Sequence, residues 1–284
     1  MSGTQGSSHS TPPAAPDPLP LPIVDNHTHL DISREGQGPV DVADAIAAAK
    51  RVGVNRMVQV GCDLDGARWT VEVIDRHPEL LGGIAIHPNE APKHEARGDL
   101  RQAWDEIERL AAHPRVRAIG ETGLDYFRTG PDGVAAQQDS FRWHIDLAKR
   151  TGKALQIHDR DSHDDVLRIL AEEGAPQKVV LHCFSGDVAM ARECVDRGYF
   201  LSYSGTVTFK NARPLRNALA VTPLEQVLVE TDAPYLTPAP HRGAPNSPYL
   251  TPITVRLMAD VLNVSVPALC QAVSDNSEAI YGPW

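Results

Sequence analysis

Cysteine is too scarce in this sequence to hold the chain together. The four present, Cys62, Cys183, Cys194 and Cys270, stand far apart with no C-x-x-C spacing. That leaves neither a disulfide framework nor a thiolate zinc ribbon, and reduced thiols in a cytoplasmic protein are expected. Long apolar runs are missing too: nothing approaches the roughly 20 residues that span a bilayer. The first twenty residues contain no Lys or Arg and no apolar stretch, so they do not read as a secretory leader. No G-x-G-x-x-G follows the first apolar run, which removes support for a dinucleotide-binding sheet. Positive charge is in deficit, with a formal net charge of −10. This disfavours broad electrostatic capture of duplex nucleic acid, but not a small site where metal and a few arginines meet a phosphate.

What is present begins with a Ser- and Pro-rich segment over 1–20, expected to be a flexible tail. Residues 21–284 then form one domain, a size that an α/β barrel fills with a single core. Short apolar runs recur at 22–24, 54–60, 81–86, 116–119, 154–157, 179–181, 199–201 and 227–229. Their continuous Val, Ile and Leu content suits strands buried on both faces of a parallel sheet. Between them lie stripes at helical spacing, among them Val42, Ala45, Ile46 and Ala49, then Phe141, Ile145 and Ala148. A last helical stretch around Leu269, Val273 and Ile280 is expected to pack on the outside. Eight strands alternating with helices predict a TIM-like (β/α)8 barrel.

In such a barrel, chemistry collects at the carboxyl ends of the strands. The first run ends in His27-Thr28-His29, whose two-residue step returns both rings to one face. The third ends in His87, the fourth in Gly120-Glu121, the fifth in His158, the sixth in His182 and the eighth in Glu230-Thr231-Asp232. Five of the chain's 12 histidines therefore fall at strand ends. A lone His158 or His182 more often reads as a satisfied core histidine, and Asp232 as a helix cap; the concentration is what favours metal. His77 and His113 are expected on the surface, His9 in the tail, and His144 and His163 on solvent-facing helix positions.

Four histidines with two carboxylates make a nitrogen–oxygen ligand set suited to Zn²⁺, Mn²⁺ or Mg²⁺. Six ligands exceed one tetrahedral site, so two divalent metal ions are expected. His27, His29 and Asp232 would hold one and His158 with His182 the other, Glu121 bridging. Such a pair activates water for displacement at phosphorus. Glu121 and Asp232 are the catalytic candidates, Asp232 being placed to take the proton from that water.

These residues sit in ordered motifs: Val24-Asp25-Asn26-His27-Thr28-His29-Leu30-Asp31, Gly120-Glu121-Thr122-Gly123-Leu124-Asp125-Tyr126, Ile157-His158-Asp159-Arg160-Asp161, Leu181-His182-Cys183-Phe184-Ser185-Gly186, Ser204-Gly205-Thr206-Val207-Thr208-Phe209, Val229-Glu230-Thr231-Asp232-Ala233-Pro234-Tyr235-Leu236 and Pro240-His241-Arg242-Gly243. From about Leu21 onward the sequence resembles the TatD family of metal-dependent deoxyribonucleases, within the amidohydrolase superfamily. The resemblance implies a TIM-like barrel and hydrolysis of DNA phosphodiester bonds, often as a 3′→5′ exonuclease. It also implies metal ligation by the same six residues. One departure stands out: Asp159 occupies a position usually held by a small Ser, Thr or Cys, and a carboxylate there would work against an anionic substrate.

For substrate contacts, His87, His241 and Arg242 are candidates to meet phosphate at the barrel mouth. Arg160 either does the same or pairs with Asp125 or Asp161. Tyr126 and Phe127 either stack on a base or pack under a loop. The competing functions are an ester or amide hydrolase on the same metals, such as a D-aminoacyl-tRNA deacylase, and a non-catalytic metalloprotein.

Overall fold

Strands that are apolar on both faces must be covered on both faces, and the chain does this by rolling its sheet closed. A computed structural model describes residues 11–33 and 38–284. Eight strands run β1 (Ile23–Thr28), β2 (Val54–Gly61), β3 (Leu80–Ile84), β4 (Val116–Asp125), β5 (Ala154–Arg160), β6 (Val179–Leu181), β7 (Phe200–Tyr203) and β8 (Val227–Val229). All pair in parallel in sequential order. The seam between β8 and β1 is shut by a short parallel bridge of Thr28 to Ala233. Asp232 N donates to His27 O at 2.9 Å and His29 N to Ala233 O at 2.8 Å across that seam. This is the expected (β/α)8 barrel.

Several strands run further than their apolar stretches. β4 extends through Asp125 and β5 through Arg160, because Gly123 pairs with His158 and Asp125 with Arg160. The site residues Glu121 and His158 therefore lie within strands rather than beyond them, His158 paired with Gly123 and Glu121 in the register shift between Ile119 and Thr122. Gly123 makes this approach possible: its φ is 132°, and a Cβ there would strike His158 O.

The main core lies between sheet and helices, where Ile46 and Ala49 of the helix Val42–Arg51 and Phe141, Ile145 and Ala148 of the helix Val134–Thr151 are buried. Inside the barrel, Val58, Val60, Leu81, Ala118, Ala154, Val180 and Leu228 from six strands meet Tyr281. The final helix, Val266–Tyr281, thus does more than pack outside as expected. Its Tyr281 is buried within the barrel, its hydroxyl taking a 2.7 Å hydrogen bond from Gln156. Gln156 also donates to Asn26 O at 2.9 Å, so the barrel interior carries a polar layer below the mouth.

One further expectation changes. His144 does not face solvent: it is fully buried, accepting from Ile86 N at 3.2 Å while its other ring nitrogen bonds Ser140 O at 2.7 Å. An imidazole can substitute for apolar bulk when both nitrogens find backbone partners. Residues 1–10 of the expected tail, with His9, lie outside the described residues. Residues 13–19 lie against the body of the protein: Tyr249 donates to Pro13 O, Arg256 to Asp17 O and Pro18 O, and Leu19 is buried. Proline carbonyls remain good acceptors, so a proline-rich segment can be pinned without joining a sheet. Among the described residues, no single helix is long and apolar enough to cross a membrane.

Candidate metal centre

The two-residue step from His27 to His29 brings their Nε2 atoms to 3.2 Å of each other at the barrel mouth. His29 Nδ1 lies 2.8 Å from Val60 O, an acceptor, so it carries the proton and leaves Nε2 bare in the neutral ring. Asp232 Oδ1 is 3.3 Å from His29 Nε2 and 4.0 Å from His27 Nε2. Glu121 Oε2 is 3.5 Å from His27 Nε2 and 3.8 Å from His29 Nε2. Ligands about 2 Å from a tetrahedral ion are separated by roughly 3.3 Å. Nitrogens and carboxylate oxygens at these spacings therefore surround a point that fits a divalent cation.

The other oxygen of the same carboxylate faces a second group. Glu121 Oε1 lies 2.5 Å from His158 Nδ1, 2.9 Å from His182 Nε2 and 3.4 Å from His87 Nε2. Glu121 thus divides its two oxygens between two sets of imidazoles, as a bridging ligand would. Four groups of His, Cys, Asp and Glu with mutually close ligand atoms occur here among the described residues.

In the second set, the outer ring nitrogens of His182 and His158 are each held by a carboxylate, while that of His87 accepts from Asn89 N at 3.0 Å. His182 Nδ1 donates to Glu230 Oε1 at 3.0 Å, an oxygen that also accepts from Cys183 N at 2.8 Å. His158 Nε2 is 3.2 Å from Asp125 Oδ2, and Asp125 is itself held by Asn89 Nδ2 and Arg128 N. Such carboxylate–histidine pairs orient ligands and raise their basicity. Below them, Asp25 anchors β1 to the segment after β8 by accepting from the amide and hydroxyl of Thr231. At the site, the buried atoms His27 Nδ1 and Glu230 Oε2 have no hydrogen-bond partner among the described residues.

Electrostatics keep the central carboxylate ionised. Burial works to neutralise Glu121, yet His182, His87 and His158 around it hold its pKa well below the usual range. Asp232 is likewise lowered: burial opposes ionisation, and the bond from His29 with the nearby His182 charge overcomes it. Burial lowers the His158 pKa less than Glu121 and Asp125 raise it, to about 9. His27, by contrast, is lowered by burial and by the neighbouring His182. Negative oxygens facing several imidazoles in a buried mouth form a site that attracts positive charge, whether a proton or a metal ion.

All six expected ligand residues, His27, His29, Glu121, His158, His182 and Asp232, converge here. His87, expected to meet phosphate, stands against Glu121 with its ring 4.7 Å from that of His158. Arg160 pairs with neither Asp125 nor Asp161; its guanidinium lies over the ring of Phe127 at 3.8 Å, and Phe127 is 63% exposed. Tyr126 is turned inward, its hydroxyl donating to Asp165 at 2.7 Å. Arg242 is exposed and stacks on Phe209 at 4.1 Å; His241 begins the same loop, its amide bonded to Pro238 O. Asp159 does not crowd the centre. Its carboxylate accepts from Ser162 Oγ at 2.8 Å and His163 Nδ1 at 2.7 Å, two side chains at the start of the next helix.

Sequence reasoning missed Glu230, Asp125 and Cys62. The first two carry a weak signal, being the acidic members of the strand-end motifs two residues before Asp232 and four after Glu121. Cys62 carries none in sequence, because a single thiol after a strand is ordinary.

A sequence model described as TatD related DNase matches residues 24–282. The chain belongs to the TatD family. An uncharacterized metal-dependent hydrolase TatD of Mycobacterium tuberculosis is 48% identical over 266 residues, covering 92% of this chain and 98% of that protein. The uncharacterized metal-dependent hydrolase YcfH of Escherichia coli K12 is 37% identical, covering 91% and 95%. Among solved structures, the TatD homolog YjjV of Escherichia coli K12 shares the fold with a TM-score of 0.85 at 24% identity, covering 92% of this chain and 98% of that one. A TatD family hydrolase from Entamoeba histolytica does so with a TM-score of 0.81 at 20% identity, covering 94% and 100%. This TatD protein is accordingly a hydrolase of the metal-dependent class.

Proposed function

We propose that the protein hydrolyses phosphodiester bonds of DNA at its ends, as a 3′→5′ exonuclease dependent on two divalent cations. The observation that carries this reading is Glu121, whose Oε2 faces His27 and His29 while its Oε1 faces His158 and His182. His27, His29 and Asp232 would hold one ion, His158 and His182 the other, and Glu121 both. A cation pair so held supplies a nucleophilic water at neutral pH and neutralises charge on the attacking and leaving oxygens.

The chain's own groups do the rest. Asp232, kept ionised and partly open to the mouth, accepts the proton of the attacking water. Glu121 fixes the spacing of the two halves of the site. Glu230 and Asp125 keep the His182 and His158 rings turned inward. Arg242 and His241, on the loop after β8, bind the phosphate backbone, Arg242 with its paired donors. The exposed face formed by Phe127 and Arg160 is suited to stack on an unpaired base.

The test is chelation followed by refilling with Zn²⁺, Mn²⁺ or Mg²⁺, using end-labelled single-stranded DNA and D-aminoacyl-tRNA in parallel. Stepwise shortening from the 3′ end is expected. Release of the D-amino acid with DNA left intact would replace this reading with an ester hydrolase on the same site.

A further inference from the structure

Cys62 follows β2 and enters the mouth beside the first set of histidines. Its Sγ lies 3.5 Å from Glu121 Oε2 and 3.8 Å from His29 Nδ1. The same carboxylate oxygen is 3.5 Å from His27 Nε2, so thiol and imidazole approach it equally closely. Sulfur about 2.3 Å and oxygen about 2.0 Å from a tetrahedral ion are roughly 3.5 Å apart. His29, Cys62 and Glu121 together form a group whose ligand atoms lie within 4.8 Å of one another. Of the other cysteines, Cys183 is engaged with Ser204 Oγ at 3.2 Å, while Cys194 and Cys270 belong to the hydrophobic core.

We infer that Cys62 is a metal-selecting ligand of this centre, joining the coordination shell when the ion is thiophilic and leaving it when the ion is hard. With Mg²⁺ or Mn²⁺ the thiol keeps its proton, and its S–H donates to Glu121 Oε2. With Zn²⁺, Co²⁺ or Cd²⁺ the S–H bond breaks, the proton passes to solvent and a metal–sulfur bond forms, with no change of oxidation state. Thiolate favours softer ions, whereas carboxylate and water favour Mg²⁺ and Mn²⁺. The centre is thereby biased toward thiophilic metals beyond what its nitrogen and oxygen donors provide. The inference rests on the metal reading of the site given above.

The experiment uses the full chain, stripped by chelation and loaded with Co²⁺. Ligand-field bands in the visible report that the centre holds cobalt; a near-ultraviolet sulfur-to-cobalt charge-transfer band reports Cys62. Both are expected in the unaltered protein. Cys62→Ser and Cys62→Ala should keep the ligand-field bands and lose the charge-transfer band, while Cys183→Ser keeps both. Cd²⁺ affinity should fall about tenfold or more in either Cys62 variant, with Mn²⁺ affinity changed by less than about twofold. Ligand-field bands without charge transfer in the unaltered protein would overturn the role of Cys62 and leave the metal centre standing. So would a charge-transfer band that survives both Cys62 substitutions. Failure to bind cobalt at all would remove both readings together.

Discussion

His182 Nδ1 donates to Glu230 Oε1 at 3.0 Å, and this contact decides which nitrogen of the ring is free to face Glu121. A histidine without such a partner is divided between tautomers and orientations. Glu230→Gln keeps the side chain's size but can present its NH₂ group to His182. Metal affinity measured by chelator competition should fall about tenfold to a hundredfold, with the fold intact by circular dichroism. A change of less than about twofold would show that His182 needs no such support.

Glu121→Ala removes the carboxylate whose two oxygens face the two sets of imidazoles. Metal content of the purified variant should fall, and hydrolysis of bis(p-nitrophenyl) phosphate should be lost. Activity at the unaltered level would refute the bridging role. Glu121→Gln, which retains one good oxygen donor, is expected to hold more metal than the alanine variant.

Arg242 is exposed, stacked on Phe209, and has no part among the candidate ligands. Arg242→Ala should raise KM for a DNA substrate about tenfold with little change in kcat, the signature of lost binding rather than lost chemistry. Metal content should not change; if it drops, the loop after β8 supports the centre instead of the substrate.

His144 couples pH to stability away from the mouth. Burial pushes its pKa down to about 4, against the bond to Ser140 O, which favours the protonated ring. With an unfolded value near 6.5, the unfolded chain binds the extra proton between these limits. The contribution is therefore fully present above about pH 6.5 and is lost as pH falls toward 4, by roughly 3 kcal/mol over the whole window. Urea unfolding of His144→Gln should show a shallower loss of stability between pH 7 and 4.5 than the unaltered protein. Parallel slopes would contradict this assignment.

Gly123 holds β4 against β5 with φ 132°, where a Cβ would strike His158 O. Gly123→Ala should lower the unfolding free energy by roughly 3 kcal/mol and weaken metal binding, since His158 is displaced with the strand. A thermal midpoint within a degree of the unaltered protein would show that the backbone relaxes there without cost.

The barrel and the six convergent residues were legible in the linear sequence for one reason. Both rest on local order: apolar runs set the strands, and residues that end successive parallel strands must meet at one rim. His27, His29, Glu121, His158, His182 and Asp232 needed only their places in that alternation. What tertiary structure decided are the pairings between residues far apart in the chain. Glu230 behind His182, Cys62 beside Glu121, Arg160 on Phe127, Asp159 turned to His163 and Tyr281 inside the barrel each depend on which neighbour a side chain finds after closure. His144 was misjudged because a helical stripe marks the buried face by apolar residues, while an imidazole is buried or exposed according to whether backbone partners await both of its nitrogens. Periodicity along the chain carries the first kind of information; only packing between elements carries the second.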